Sequence, residues 1–182
     1  MPGMPRVETS RLLLRPFTGE DLDDFSTILR KPGVIKYLGA ECKPMSRGET
    51  EAVLHSMIRH WRRRRGFGRW AVVSKDGGRL IGCAGLRSYQ AVAELVYLLD
   101  EPYWGKGLAT EIARACLRFG FETQGFDRIV AFARPRNAAS RRVLAKLGMS
   151  FDGETNVFGV HVAQYSLRRE EFRPDDSAYE IK

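Results

Sequence analysis

The stretch AELVYLLDEPYWGKGLATE, residues 93–111, decides the fold of this chain. Residues 93–99 form a mostly apolar run and predict a buried β-strand. A tight turn containing Pro102 follows, and the small residues of Gly105–Ala109 lead into a helix. Small residues let backbone N–H groups approach an anion closely, and the start of a helix adds positive potential. The stretch therefore predicts a strand, a turn and a helix that together hold a pyrophosphate.

Neither of two familiar nucleotide loops fits this stretch. A P-loop needs the pattern GxxxxGK[ST], which the chain lacks. A dinucleotide loop of the form GxGxxG would need its third glycine at Thr110. The predicted anion site is therefore of another kind.

The rest of the chain alternates helical and strand patterns. Thr18 and Ser46 are predicted N-caps, and Glu49 completes a capping box with Ser46. The order predicts one mixed, twisted α/β sheet with helices on both faces. We expect a single domain over residues 1–172 and a loose polar tail over 173–182. The predicted strands are 11–15, 67–74, 79–86, 93–99, 128–133, 151–154 and 160–167, and the predicted helices are 18–30, one from Ser46, 108–123 and 137–147.

Composition limits the class of protein. The 182 residues are 43% hydrophobic and 29% charged, as in globular domains, and no apolar run reaches the roughly 20 residues of a membrane span. With no apolar leader either, we expect a cytoplasmic location and no membrane partner. The three cysteines and three histidines are scattered, so we expect buried, reduced thiols and no metal site. The net charge of +8 favours an anionic partner: nucleic acid, ribosomal RNA or a polyanionic cofactor.

A second segment, ARPRNAASRRVLAKLGM at residues 133–149, lies at a predicted strand-to-helix junction. Together the two segments resemble the GNAT superfamily of N-acetyltransferases, whose pyrophosphate loop follows [Q/R]-x-x-G-x-[G/A]. Gly107 and Ala109 match the last two fixed positions, and Trp104 stands where Gln or Arg is usual. The strings YWGKGLATE, NxxSxxVLxKLGM and ETSRLLLRPFTGEDLDDF resemble the RimJ/RimL-type branch, which includes acetylases of ribosomal-protein N-termini. The resemblance covers residues 7–169.

The resemblance implies a GNAT-type acyl-CoA N-acyltransferase fold. Its sheet would splay open between the fourth and fifth predicted strands, 93–99 and 128–133, and acetyl-CoA would lie in the opening as co-substrate. The pantetheine would pair with strand backbone, and the pyrophosphate would rest on N–H groups of the glycine-containing loop. The implied cofactor-binding residues are Tyr97, Leu98, Leu99, Trp104, Gly105, Lys106, Gly107, Leu108, Ala109, Thr110, Asn137 and Ser140.

The catalytic groups are less certain from sequence than the loop. Glu94 is the best acid-base candidate and would act through water, the alternative being an ordinary exposed carboxylate at a strand end. A backbone N–H near Tyr97 or Leu98 is the implied oxyanion donor. Many relatives place a tyrosine acid where this chain has Leu144, so Ser140 is the candidate that hydrogen-bonds the leaving thiolate. The alternative is that Ser140 is a structural residue of the first helical turn and Asn137 an ordinary N-cap.

Three functions stay open at this point. The first is an N-acetyltransferase acting on a protein N-terminus, an amino acid, a polyamine or an amino-sugar. The second is a basic RNA-docking domain, although no RNA-binding motif is present and direct nucleic-acid binding is not expected. The third is a domain that binds acetyl-CoA without turnover. The Arg62–Arg65 run fits an acidic acceptor, ribosomal RNA or a plain solvated helix end, and both a monomer and a homodimer are compatible with the sequence.

Overall fold

The computed structural model describes residues 5–63 and 67–182 of the chain. Within these residues, nine strands form one sheet in the order β7-β8-β6-β5-β4-β3-β2-β1-β9. The strands are β1 (Val7–Thr9), β2 (Leu12–Arg15), β3 (Gly68–Ser74), β4 (Leu80–Tyr89), β5 (Val92–Leu99), β6 (Arg128–Ala133), β7 (Ser150–Val157), β8 (Val160–Arg168) and β9 (Tyr179–Ile181). The α-helices are α1 (Leu22–Leu29), α2 (Pro32–Ile35), α3 (Arg47–Arg63), α4 (Leu108–Arg118) and α5 (Ala138–Lys146). Short 3-10 turns precede α1 and follow β5, and a π-helical turn extends α4 through Thr123.

The sheet is mixed, as predicted. Among the described strands, β5 and β6 are the only parallel pair, and the sheet opens between them as predicted. β5 and β6 pair from Ala93 opposite Ile129 to Leu95 opposite Ala131. Beyond that point β5 runs on to Leu99 without β6 as a neighbour, although it stays paired with β4. Half of β5 therefore has one unpaired backbone edge inside the protein.

Both faces of the sheet are covered, which explains why its strands are mostly apolar. One core lies between the sheet and α4 and α5, around Trp70, Ile112 and Phe119. A second core lies between the sheet and α1–α3, around Phe25 and Leu54. The predicted mixed α/β fold with helices on both faces is thus confirmed.

The predicted helix starts are also confirmed. The backbone N–H of Thr18 donates to Asp21 at 2.8 Å. Ser46 and Glu49 form the reciprocal capping box, with the Ser46 N–H donating to the Glu49 carboxylate at 2.7 Å and the Glu49 N–H to Ser46 Oγ at 3.2 Å. Thr18 caps the 3-10 turn Gly19–Asp21 that leads into α1, and Ser46 caps α3. Both helices lie over the face of the sheet that holds one of the two cavities described below.

Three expectations need correction. β1 was not predicted, because three residues are too short for a recognisable alternation, and α2 lies in a segment predicted as a loop. The expected loose tail is partly a strand, since Tyr179–Ile181 pairs with β1. The otherwise unpaired edge of β1 offers hydrogen-bonding groups to the tail. The Arg118 guanidinium, 4.4 Å from the Tyr179 ring centroid, holds the tail in place.

No helix in the described part of the chain is both long and apolar enough to cross a membrane. Of the three free cysteines, Cys83 and Cys116 are buried, and this burial raises the pKa of both thiols. Cys42 is only partly buried, contrary to the expectation of three buried thiols.

Candidate active site

The unpaired edge of β5 exposes a definite set of backbone groups to the opening. The Asp100 N–H donates to Ile81 of β4 at 2.8 Å, and a Cβ on Gly82 of β4 would collide with the Leu98 carbonyl. Backbone groups of successive strand residues point to opposite edges. The N–H and C=O of Tyr97 and Leu99 therefore face the opening, whereas those of Leu98 face β4. Trp104 donates its indole N–H to the Leu99 carbonyl at 2.8 Å. Of the two implied oxyanion donors, Tyr97 and Leu98, Tyr97 is the candidate because the Leu98 N–H faces β4.

The turn after β5 ends in an anion-binding arrangement. Gly107 is the N-cap of α4 at φ 78°, a left-handed conformation that suits glycine, and it has no side chain to cap the helix. The Glu111 N–H donates to the Gly107 carbonyl at 3.1 Å and begins the helical ladder. The N–H groups of Leu108, Ala109 and Thr110 precede that ladder, so they are the donors that a helix start offers to an anion.

Arg11 holds this turn from outside, a role that sequence reasoning missed. Its guanidinium donates to the Lys106 carbonyl at 2.9 Å and to the Glu111 carboxylate at 2.7 Å. Thr9 also donates to Glu111, at 2.6 Å. Burial opposes ionisation of Glu111, but the hydrogen bonds from Thr9 and Arg11 outweigh it and lower the pKa of this carboxyl. The only sequence signal was the ETSR string, which carries no such meaning without the fold.

A cleft of about 390 Å³ runs along these groups. It is lined by the predicted cofactor residues with one exception, Lys106, whose ammonium lies 5.6 Å from the Tyr103 ring centroid. Arg142 and Lys146 of α5 also line the cleft, whereas Arg141 is held by the Tyr165 hydroxyl at 2.9 Å. The predicted residues in the lining are Tyr97, Leu98, Leu99, Trp104, Gly105, Gly107, Leu108, Ala109, Thr110, Asn137 and Ser140.

A second cavity, of about 440 Å³, lies on the α1–α3 face of the sheet. Apolar side chains from α1, α3 and the β7–β8 hairpin line it, among them Phe25, Met57 and Phe158. It meets the cleft at a junction whose residues line both, namely Tyr37, Leu38, Tyr97, Leu98, Phe132, Arg134 and Ser140. Two molecules, one in each cavity, would thus come into contact at the end of the opening.

Glu94 lines the second cavity and is not the exposed strand-end carboxylate that the sequence left open. Its side chain is 4% exposed and forms a two-point ion pair with Arg87, its cross-strand neighbour on β4, at 2.6 and 2.9 Å. A carboxylate has about four acceptor positions, so two bonds to Arg87 leave room for a water molecule. Glu94 therefore has the position of a base that acts through water.

Ser140 and Tyr97 form a hydroxyl pair at the junction. Their oxygens are 2.9 Å apart, and burial raises the pKa of Tyr97 to about 12 despite that hydrogen bond. The Ser140 N–H donates to the Asn137 side chain at 3.2 Å, so Asn137 is the N-cap of α5. Leu144 is 1% exposed and offers only carbon atoms where many relatives have a tyrosine. The Tyr97 hydroxyl was missed by sequence reasoning, which used only its backbone.

Comparison with known proteins decides the family. A model of the acetyltransferase (GNAT) domain matches residues 11–150. This chain belongs to the GNAT acetyltransferase family. It is an acetyl-CoA-dependent acyltransferase, and the unpaired β5 edge, the free helix start and the cleft between them fit an extended coenzyme with a pyrophosphate.

The GNAT chain has relatives along almost its whole length. It is 31% identical over 180 residues to the uncharacterized protein YkkB of Bacillus subtilis, covering 92% of this chain and 98% of YkkB. A GNAT-family acetyltransferase structure from Bacillus anthracis has a TM-score of 0.79 at 24% identity, over 91% of this chain and 99% of that one. The spermidine N(1)-acetyltransferase of Escherichia coli K12 is 27% identical over 153 residues, 83% of this chain and 78% of that protein.

The Arg62–Arg65 run cannot be placed in the site. Its side chains lie outside the described residues, so its contact with a substrate stays a prediction from sequence.

Proposed function

We propose that this enzyme acetylates a primary amine in the second cavity, and that its acceptor is the α-amino group of a protein or peptide. The observation that carries the proposal is the junction, where the cavity containing Glu94 meets the cleft beside the Tyr97–Ser140 pair. A thioester whose pantetheine pairs with the free edge of β5 would present its carbonyl there. The acceptor amine would reach it from the opposite side.

The chemistry needs a neutral amine, an oxyanion donor and a partner for the thiolate. The amine nitrogen attacks the thioester carbonyl carbon, and the Tyr97 N–H stabilises the developing oxyanion. A water molecule on Glu94 takes the proton that the nitrogen loses. The C–S bond then breaks, and the Ser140 hydroxyl, itself bonded to Tyr97, hydrogen-bonds the departing thiolate.

The preference for an α-amine follows from the weakness of the base that the cavity provides. One carboxylate, already engaged with Arg87, is the candidate base in the described cavity. An α-amino group has a pKa of about 8, whereas a lysine side chain has about 10.4, so far more of the α-amine is neutral near pH 7. The RimJ/RimL-like motifs support the same acceptor, while the spermidine acetyltransferase relative supports a small polyamine instead.

Matched acceptors separate these possibilities. Thiol release from acetyl-CoA would be measured with a peptide that has a free N-terminus and no lysine, an N-blocked peptide with one lysine, and spermidine. The proposal expects the free N-terminus to be the fastest by roughly 10-fold or more, in line with the difference in neutral fraction. Faster acetylation of the blocked peptide would contradict the α-amine preference, and activity on spermidine alone would move the function to polyamines.

A further inference from the structure

The strongest unexplained feature of the second cavity is Arg134, at the residue after the end of β6. It lines both cavities and therefore lies at their junction. Its Nη2 donates to the Gly39 carbonyl at 2.6 Å and lies 3.4 Å from the Cys42 sulfur. Its Nε is buried and has no hydrogen-bond partner among the described residues, and no described carboxylate pairs with it.

An unpartnered guanidinium N–H is costly inside a protein. A buried donor without an acceptor has lost its hydrogen bond to water without replacement, and the penalty is larger when the group is charged. Arginine presents its donors as a planar fork that matches a carboxylate. The position of Arg134 beside a substrate cavity points to a ligand group as the missing acceptor.

The charges around the second cavity favour an anion. Its charged lining residues are Arg69, Arg87, Arg134 and Glu94, and Glu94 is already paired with Arg87. Three guanidinium groups and one carboxylate give the residues that line the cavity a positive formal charge. A positively charged lining attracts an anionic group and repels a polycation such as a polyamine.

We propose that the acceptor carries a carboxylate close to its amine and that Arg134 binds this carboxylate. The inference rests on the proposed function and narrows its substrate class to acidic amines. The carboxylate would come from either of two sources, the acidic side chain of a peptide N-terminus or the α-carboxylate of a free amino acid. The Arg134 Nε–H would donate to one carboxylate oxygen. Nη2, which lies on the same side of the guanidinium, donates to Gly39 and Cys42, so a bond to the second oxygen would replace the weaker one to the Cys42 sulfur.

The first test compares pairs of acceptors that differ in charge, with each rate divided by the fraction of neutral amine, because a neighbouring carboxylate also raises the pKa of the amine. One pair is two C-terminally amidated peptides with Asp or Asn at the second position, and the other is a free amino acid and its amide. The wild type should prefer the acidic member of at least one pair by roughly 10-fold or more in kcat/KM, as expected for a charge-assisted hydrogen bond. Which pair shows the preference identifies the source of the carboxylate. No preference in either pair would overturn the inference.

Variants assign the preference to Arg134. Arg134→Gln should bring the ratio of kcat/KM for the acidic and the neutral member close to one, whatever its effect on the rate with the neutral member. Arg134→Lys, which keeps the charge, should retain part of the preference. Arg136→Gln is the matched control. It removes the same charge, but Arg136 is exposed and lines neither cavity. An equal loss on both members of the pair, or a loss confined to acetyl-CoA affinity, would show that Arg134 serves the coenzyme or the fold instead.

A binding measurement keeps the inference separate from turnover. Calorimetry with CoA-saturated enzyme would compare the acidic and the neutral product within each pair, namely N-acetyl-alanyl-aspartyl amide with N-acetyl-alanyl-asparaginyl amide, and N-acetyl-alanine with N-acetyl-alanine amide. Tighter binding of the acidic compound of at least one pair to wild type and to Arg136→Gln, but not to Arg134→Gln, would support the carboxylate site even if no acceptor turned over. In that case only the proposed function would be in doubt. Equal binding within both pairs, or no binding of any of the compounds, would overturn the carboxylate site.

Discussion

The coenzyme cleft and the acceptor cavity of this enzyme are built in different ways. The cleft is made largely of backbone groups from one continuous stretch, the free edge of β5 and the start of α4. The cavity is made of side chains from α1, α3, β4, β5, β6 and the β7–β8 hairpin. A site made of consecutive backbone can be recognised by its local pattern of small residues. A site made of dispersed side chains exists only once the fold has brought them together.

The largest expected effect tests the backbone character of the cleft. Gly107→Glu should abolish the rise in melting temperature that acetyl-CoA produces. The substitution places an L side chain at φ 78° and a negative charge against the pyrophosphate donors. If wild-type binding is micromolar, the loss of a shift at millimolar coenzyme corresponds to a weakening of about 1000-fold, or roughly 4 kcal/mol.

Gly78→Glu is the control for this substitution. Gly78 also has a positive φ, 63°, and open space around it, but it lies in the β3–β4 turn away from the cleft. The control should lower the melting temperature without changing the shift caused by acetyl-CoA. An undiminished shift in Gly107→Glu would mean that the pyrophosphate does not rest on this turn.

Sequence reasoning did well on the cleft for this physical reason. The glycine turn and the N-cap Asn137 follow from local patterns, the splayed sheet was implied by the family resemblance, and the structure has all three. It did not predict the contacts that residues from other segments of the chain make at the site. The Arg11 clamp is about 100 residues from Glu111 in sequence, and the pairing of Arg87 with Glu94 depends on the β4–β5 register. No local pattern encodes such contacts, and one sequence cannot show which distant residues meet.

The next effect concerns the acceptor side. Glu94→Gln should lower kcat by roughly 100-fold at pH 7, within the range of general base catalysis. The loss should be smaller above the pKa of the acceptor amine, about 8 for an α-amine, because the amine then binds already neutral and Glu94 has only the proton released after attack to take. Steady-state rates from pH 6.5 to 9.5 would show this.

Two further variants separate chemistry from packing at Glu94. Glu94→Asp should restore part of the rate, and Glu170→Gln, an exposed carboxylate outside both cavities, should change nothing. A rate loss in Glu94→Gln that is constant across the pH range, together with a lower melting temperature, would assign Glu94 a structural role through its pair with Arg87.

A smaller effect is expected where the two regions meet. Ser140→Ala should lower kcat by roughly 10–100-fold, the low end of acid catalysis, and alter acetyl-CoA affinity much less. Tyr97→Phe removes the other hydroxyl of the pair and should give a weaker loss, since Ser140 keeps its own proton. Ser150→Ala, an exposed serine on β7, is the control. Turnover unchanged in Ser140→Ala would return Ser140 to a structural role in the first turn of α5.

The smallest expected effect concerns the stability of the protein rather than catalysis. It tests how Arg11 and Glu111 hold the turn that ends at Gly107. Glu111→Gln should destabilise the protein by about 1 kcal/mol at pH 7, because Glu111 is largely buried while its partner Arg11 is half exposed. For a chain of this size that is a fall in melting temperature of about 2–4 °C.

The pH dependence of this difference gives the decisive test. The folded state lowers the pKa of Glu111, so its carboxylate adds stability that is fully present above the ordinary value of 4.5 and is lost as the pH falls through the lowered value. The gap in melting temperature between the wild type and Glu111→Gln should therefore be constant from pH 6 to 8 and close in acid. Glu122→Gln removes a carboxylate that is 39% exposed, against 14% for Glu111, and should show little gap at any pH. A gap that persists in acid would mean that Glu111 stabilises the turn by packing alone and that the Arg11 clamp adds nothing to it.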